Sequence, residues 1–389
     1  MKLKTLHWAK LKKGMRVLVR ADFNEPISHG RVMDDFRIRK TLPTIEYLLK
    51  KGCDIVLISH LGRPEGRKVK TMSLRPVARR LSKLLKQDVV FVGNPFGTDA
   101  FDGMIGRKKV FLTENIRFWP EEEKNDFYFA KKLAALGDFF VNDAFGASHR
   151  AHASVSGIPR HLPSSAGLLL EKEITALEKL LYRHRRPFFV LLGGAKASTK
   201  IDLVRKFLKE ADGVLAGGAI GNTILDGLGF SIGKSVKYEI GRKKLMRLFN
   251  IASPKLFTLR DAIVAKKIDT RSSGRLKPIG SIAADEYIVD IGVETRKYFA
   301  AVLKPARTIL WNGPLGVIEA EKFSWGTLEI VKEMKKIRAY KVTGGGETIA
   351  FLKRHDLLGA FDHVSTGGGA MLEFLAGKKL PGVEALKRK

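Results

Sequence analysis

A single cysteine, Cys53, stands in a chain of 389 residues. That excludes an internal disulfide framework and fits a reducing compartment, so the cytoplasm is the expected location. No uninterrupted apolar run reaches the ~18 residues that a membrane-spanning helix needs. The opening stretch, residues 1–13, is basic and has no apolar core, so a secretory leader is not expected. No cysteine cluster or His-x-x-x-His pair suggests zinc, and no Gly-x-Ser-x-Gly elbow supports a serine nucleophile. Carboxylates are scarce beside cations: 40 Asp and Glu against 71 Lys and Arg, a formal charge of +31.

The apolar share of 44% is ordinary and sufficient for sizeable cores, and the length fits two or three domains. The cationic excess points to polyanionic partners, whether nucleic acid, a membrane surface or phosphorylated metabolites. Its placement discriminates among them. Residues 1–168 carry 31 basic and 17 acidic groups, and residues 169–389 carry 40 and 23. Neither half is a basic tail, and no like-charge run exceeds three residues, which favours a generally basic surface.

Short apolar strands alternate with amphipathic helices, the pattern of an α/β protein with parallel sheets. Strands are expected at Arg16–Arg20, Asp54–Ser59, Val89–Val92, Lys109–Leu112 and Asp138–Val141. Helices are expected at Phe36–Lys51 and at Ser73–Lys86, with Ser73 as its N-cap. A second series follows at Pro187–Leu192, Gly213–Ala216, Ala262–Ala265, Thr308–Trp311, Lys341–Thr343 and Val364–Thr366. Leu169–Arg185 reads as a helix connecting two domains, and Ile268–Pro278 as a loop or exposed hairpin.

Ligands of open α/β sheets bind beyond the carboxyl ends of the strands. In the first half those positions are polar and cationic: Asp22 and Asn24, His60 and Arg63, Arg117, then His149, Arg150 and His152, with Arg37 opening the first helix. Arg forks suit a small phosphorylated, carboxylated anion, since both groups accept bidentate bonds. In the second half the strand ends are glycines at 193–194, 217–218, 344–346 and 367–369, with Lys196 and Lys200 nearby. Such turns ahead of helices favour phosphate, and four in one domain point to a nucleotide. The segment 229–235 imitates a phosphate-binding loop but is one residue short between its glycines, and assigns nothing.

These motifs closely resemble phosphoglycerate kinase over essentially the whole chain. The resemblance is carried by Val19-Arg-Ala-Asp-Phe-Asn24, Asp34-Asp-Phe-Arg37, Ser59-His-Leu-Gly-Arg-Pro64, Glu114-Asn-Ile-Arg-Phe118 and Val141-Asn-Asp-Ala-Phe-Gly146. It continues through Gly193-Gly-Ala-Lys-Ala-Ser-Thr-Lys200, Leu310-Trp-Asn-Gly-Pro-Leu-Gly-Val317 and Ser365-Thr-Gly-Gly-Gly369. It implies two Rossmann-like parallel-sheet domains joined by a helix and hinge. Residues 1–168 would bind 3-phosphoglycerate, 169–185 would link, 186–375 would bind nucleotide, and about 376–389 would pack back on the first domain.

The implied activity is reversible phosphoryl transfer between 1,3-bisphosphoglycerate and ADP with Mg²⁺, giving 3-phosphoglycerate and ATP, by in-line transfer on closure of a two-domain cleft. Asp22, Phe23, Asn24, Arg37, His60, Leu61, Gly62, Arg63, Arg117 and Arg150 would hold the acid. Gly193, Lys196, Lys200, Gly218, Gly292, Asn312, Glu319, Gly345, Gly346, Glu347 and Thr348 would hold the nucleotide. Arg37 and Lys200 would be catalytic. The family usually has Asp where this chain has Glu347, the residue expected to serve the nucleotide's Mg²⁺. A monomer acting without specific nucleic acid or membrane is expected. The rival reading is a catalytically weakened homologue that uses its charge to hold nucleic acid.

Overall fold

The computed structural model describes residues 2–97, 109–195, 200–240, 245, 253–269 and 271–388. They divide into two units, Met1–Thr175 with Gly377–Lys389, and Ala176–Ala376. The division falls inside the helix Leu168–Tyr182 rather than at either end of it.

Unit 1 is built on strands β1 (Arg16–Arg20), β4 (Asp54–Ile58), β5 (Val89–Val92), β6 (Val110–Thr113), β7 (Phe139–Asn142) and β8 (Ser164–Ala166), with a small ribbon of β2 (Ile27–Ser28) and β3 (Arg31–Val32). The six longer strands form one parallel sheet in the order β5-β6-β4-β1-β7-β8. The central strands are near-continuous apolar runs, as a sheet covered on both faces requires. Val17 and Val19 join one core with Ile38, Ile45 and Leu81, while Leu18 joins another with Phe129, Leu133 and Phe140.

Unit 2 contains β9 (Phe188–Leu192), β10 (Gly213–Ala216), β11 (Leu256–Phe257), β12 (Asp261–Ala265), β13 (Arg275–Pro278), β14 (Tyr287–Ile291), β15 (Thr308–Asn312), β16 (Tyr340–Gly344) and β17 (His363–Ser365). Its parallel sheet runs β11-β10-β9-β15-β16-β17. A core around Leu191, Leu215, Trp311, Val331 and Phe351 packs against it.

Three local expectations change. Ala262–Ala265 belongs to β12 of a separate antiparallel sheet, ordered β13-β12-β14, and not to the parallel one. Its partner β14 was not expected from the sequence, and the expected hairpin is where β13 pairs. Ser73 does not cap the second helix, which begins at Arg75 with Leu74 in the cap position. Its hydroxyl accepts the Arg75 N–H at 3.3 Å and donates to Glu114 at 2.7 Å, a partner 41 residues away that local reasoning does not see.

In each parallel sheet the chain leaves the first strand toward one edge and later returns to its other side. The reversals lie between β1 and β7 and between β9 and β15, which opens a crevice at the carboxyl ends of those strands. Behind the first of them, Asp143 Oδ1 accepts the Leu169 and Leu170 N–H groups at 2.9 and 3.2 Å and so caps the helix Leu168–Tyr182.

The C-terminal segment is part of unit 1. Lys4 N–H donates to Leu386 O at 2.9 Å, and Gly382 O accepts from Asn142 Nδ2 at 3.3 Å. Leu380, Val383 and Leu386 are all buried there. Leu386→Ala should therefore destabilise unit 1 by about 2–5 kcal/mol, through lost burial and a residual cavity. Urea unfolding of the full chain checks this, and an unchanged midpoint would show that the segment is not a structural part of the unit.

Candidate active site

Unit 1 assembles its candidate residues around Arg20, the last residue of β1. Arg20 is fully buried, so every polar atom of its guanidinium needs a partner. Nε donates to Ser154 Oγ at 2.8 Å, one terminal nitrogen to Ala21 O at 2.5 Å, and the other to His60 Nδ1 at 3.2 Å. Ser154 Oγ in turn donates to Glu122 Oε1 at 2.5 Å, and Ser154 N–H to Glu122 Oε2 at 2.8 Å. Burial acts to raise the Glu122 pKa, but His152 at 3.6 Å, the charge of Arg20 and the bonds from Ser154 outweigh it, and the carboxyl is held low.

Within this network His60 belongs to the polar members of the strand-end set and not to the cationic ones. Burial first, then Arg20, Arg117 and Arg37, push its pKa well below the ordinary 6.5. The imidazole is neutral at physiological pH. Because Nδ1 accepts from Arg20, the ring proton sits on Nε2, where it is a donor.

Around this centre, Asn24 Oδ1 accepts from Gly62 N–H at 2.9 Å, which ties the loop after β1 to the loop after β4. Arg117 donates to Gly62 O at 2.7 Å, and its Nε is 3.3 Å from Glu123. Burial and the neighbouring Arg20 and Arg150 lower its pKa to about 10, so it stays charged. Arg37 donates to Asn24 O at 2.5 Å, lies 3.4 Å from Glu25 Oε2 and 4.0 Å from Asp22, and keeps about a quarter of its side chain exposed. Arg150 is half-buried and Arg63 exposed. Phe23 and Leu61 are core side chains, so only their backbone faces the site.

The sequence reading missed four residues here: Arg20, Asn115, Glu122 and Ser154. Asn115 is buried and accepts from the Leu61 and Arg117 N–H groups while donating to Leu61 O and Met72 O, which pins two loops together. A signal existed for Arg20, an arginine closing an otherwise apolar buried strand.

In unit 2, Lys200 fills the corresponding position. It is 6% exposed, and its ammonium donates to Gly193 O at 2.5 Å and lies 3.4 Å from Asn312 O, the carboxyl ends of β9 and β15. The glycines divide into two kinds. A Cβ at Gly313 would come 2.5 Å from Lys200 Nζ, one at Gly218 would come 2.7 Å from Gly194 N, and one at Gly193 would overlap Pro314 O. Those glycines allow the strand ends to pack around the lysine. Gly346, by contrast, faces open space.

Gly345, at φ +105°, turns the chain into the helix Gly346–Arg354. Asn312 Nδ2 donates to Gly344 O at 2.6 Å, and Thr348 Oγ1 accepts from Gly313 N–H at 3.0 Å, so the start of this helix is fixed to the end of β15. The first-turn N–H groups have no intrahelical acceptor and favour an anion. Glu347 and Glu319 are exposed. Gly292 lies elsewhere, after β14, where a Cβ would strike the Asp261 carboxylate that caps the helix Val293–Leu303. Lys196 lies outside the described residues.

A guanidinium cluster in one parallel-sheet unit and a buried lysine beside a glycine turn and helix start in the other are the features of a two-unit α/β protein of the phosphotransferase type. The family model for phosphoglycerate kinase matches residues 9–378. The phosphoglycerate kinases of Pelotomaculum thermopropionicum and Moorella thermoacetica are 45% and 44% identical, each covering 96% of this chain and 96% of their own. The solved structure of phosphoglycerate kinase from Coxiella burnetii matches with a TM-score of 0.87 at 37% identity, over 99% of this chain and 98% of that one. That from Pyrococcus horikoshii also gives 0.87, at 33% identity with the same coverage. The chain belongs to the phosphoglycerate kinase family and is a kinase of glycolysis. No helix among the described residues is long and apolar enough to cross a membrane.

Burial, set against Arg37, raises the Glu25 pKa from 4.5 to about 7. The folded state thus binds a proton that the unfolded chain releases, so this stabilising contribution is complete below pH 4.5 and is lost as pH rises through 7. Between those limits the wild type should lose up to about 3 kcal/mol relative to Glu25→Gln. Urea unfolding of both proteins from pH 4.5 to 8 measures it, and parallel curves would refute the buried-carboxyl account.

Proposed function

We propose that the chain catalyses reversible transfer of a phosphoryl group between 1,3-bisphosphoglycerate and ADP, giving 3-phosphoglycerate and ATP. The observation that carries this reading is Lys200, a buried ammonium that donates to the carbonyls of Gly193 and Asn312 at the strand reversal of the unit with the glycine turns. A cation so placed answers the charge on a transferring phosphoryl group, which needs neutralisation and alignment more than a covalent nucleophile.

In this proposal Arg37, Arg63, Arg117 and Arg150 bind the anionic ends of the acid. Asp22 and Asn24 set the loop that carries them, the neutral His60 donates through Nε2, and Phe23, Leu61 and Gly62 contribute backbone. In the forward direction the ADP β-phosphate oxygen attacks the acyl phosphate, and the carboxylate of 3-phosphoglycerate leaves with the electron pair of the broken P–O bond. No proton transfer is required. Arg37 from the acid side and Lys200 from the nucleotide side stabilise the charge that develops on the equatorial oxygens. The nucleotide phosphates rest on the helix start at Gly345, Gly346 and Thr348, with Gly193, Gly218 and Asn312 beside them, and Lys196 remains in the proposal on family resemblance alone. Glu319 reaches the ribose. Gly292 remains in the proposal on family resemblance alone. Closure of the two units on binding both substrates excludes water, which would hydrolyse the acyl phosphate. Action as a monomer in the cytoplasm belongs to the same proposal.

The residues present fit a Mg²⁺ held through the nucleotide. Among the described residues no group of three His, Cys, Asp or Glu could hold an ion unaided, whereas Mg²⁺ is commonly held by one or two carboxylates together with phosphates and water. Glu347, exposed in the first turn of the phosphate-facing helix, supplies one carboxylate. When bound, the ion would neutralise phosphate charge.

A coupled assay of ADP formation from ATP and 3-phosphoglycerate tests the reading, and absence of turnover would overturn it. Arg37→Ala and Lys200→Ala should each lower kcat by at least about a hundredfold, ~3 kcal/mol of transition-state stabilisation. Lys200→Ala should leave 3-phosphoglycerate affinity within a few-fold, and loss of that affinity alone would remove Lys200 from the nucleotide side. Glu347→Gln should raise the Mg²⁺ concentration needed for half-maximal rate, and an unchanged requirement would remove Glu347 from the metal's surroundings.

A further inference from the structure

The parallel sheet of unit 2 carries a second cationic concavity, at the ends of the strands that the phosphotransfer reading does not use. Lys200, Asn312 and Gly345 stand at the carboxyl ends. The other cavity, about 890 Å³, opens against Thr308 and Tyr340, the first residues of β15 and β16. Lys179, Arg183, Arg185 and Arg186 line it from the last turn of the helix Leu168–Tyr182 and the segment after it. Arg307 and Arg338 line it from the approaches to β15 and β16, and Lys341 from within β16.

One carboxylate, Asp362, is among the lining residues, and it accepts the Lys341 backbone N–H at 2.7 Å. Arg186 is paired with Asp212. Among the described residues no carboxylate lies within ion-pair distance of Arg183, Arg185, Arg307 or Arg338. Lys341 is 9% exposed, and its ammonium donates to Ile337 O at 2.7 Å. A concentration of like charge with so little compensation is unfavourable by itself and is relieved by a bound anion.

The shape and the rings narrow the class of anion. The volume is that of a small-molecule site. Each aromatic ring at the cavity already has a neighbour: the Lys179 ammonium stands 3.8 Å from the Tyr340 ring centre, Phe361 stacks on Trp311, and His184 lies against Phe188. Single-stranded nucleic acid relies on free aromatic faces for its bases as well as on cations for its backbone. Here the cations are clustered and each ring already has a partner. Guanidinium forks match phosphoryl oxygens bidentately.

We propose that this concavity binds a compact polyphosphate, an anion carrying three or more closely spaced phosphoryl groups, at a site separate from the phosphotransfer centre. A linear phosphoanhydride chain and a ring polyol bearing several phosphates present the same chemistry. Calorimetric titration of the full chain at 150 mM KCl with inorganic tripolyphosphate and, separately, inositol hexakisphosphate distinguishes the two sources by which binds more tightly. For the preferred probe, the variant Arg185→Gln/Arg307→Gln/Arg338→Gln should bind at least tenfold more weakly, with turnover and unfolding temperature unchanged in the absence of the probe. Should the triple variant not fold, Arg338→Gln, an exposed side chain, should still weaken binding about threefold. Equal affinity of wild type and variant would place any binding elsewhere and overturn the proposal. So would the absence of binding at millimolar probe, or equally tight, variant-sensitive binding of a thymidine oligonucleotide.

Discussion

A buried cation at the strand reversal is the constraint around which each unit is arranged. Removing a guanidinium or an ammonium from water costs several kcal/mol unless its hydrogen-bonding capacity is met in place. Arg20 meets it with Ser154, Ala21 O and His60, and Glu122 supplies the compensating charge one bond further out. Lys200 donates to the carbonyls of Gly193 and Asn312. Both cations thus stand where strands end and the order of the sheet reverses.

Much of the surrounding sequence follows from these two placements. The glycines at 193, 194, 218 and 313 are there because strand ends converge on the lysine and on one another, leaving no room for side chains. The neutrality of His60 follows from Arg20, Arg117 and burial acting together. Carboxyls are pushed the opposite way: burial raises Glu25, Asp143 and Asp290 each to about 7. A chain with a large excess of cations thus keeps part of its few carboxylates in places where burial opposes their ionisation.

The two ends of the unit 2 sheet show how one architecture separates two chemistries. At the carboxyl ends, glycine turns and a helix start leave space and oriented N–H groups. At the amino ends, the same strands begin between arginines that the sequence scatters from 183 to 338. Opposite ends of one rigid sheet can hold anions without competing for the same atoms.

The alternation of apolar strands and amphipathic helices is enough to give two parallel sheets, because period and hydrophobicity are local properties of the chain. The Arg, His and Gly positions after the strands were legible for a related reason: a parallel sheet puts its carboxyl ends together whatever the order of its strands. Sequence spacing could not reveal Arg20, Asn115, Glu122 or Ser154 as members of the site. Their partners lie tens of residues away, and only burial turns an ordinary polar side chain into an obligatory one. For the same reason the sequence could not distinguish glycines that make room for Lys200 from Gly346, which faces open space. Nor could it assign the protonation state of His60, which burial and the cations packed around it set in the folded chain. Which residues flank the strands was written in the order of amino acids; which of them are charged, held or exposed was decided by the fold, because desolvation and long-range charge exist only after the chain has closed around them.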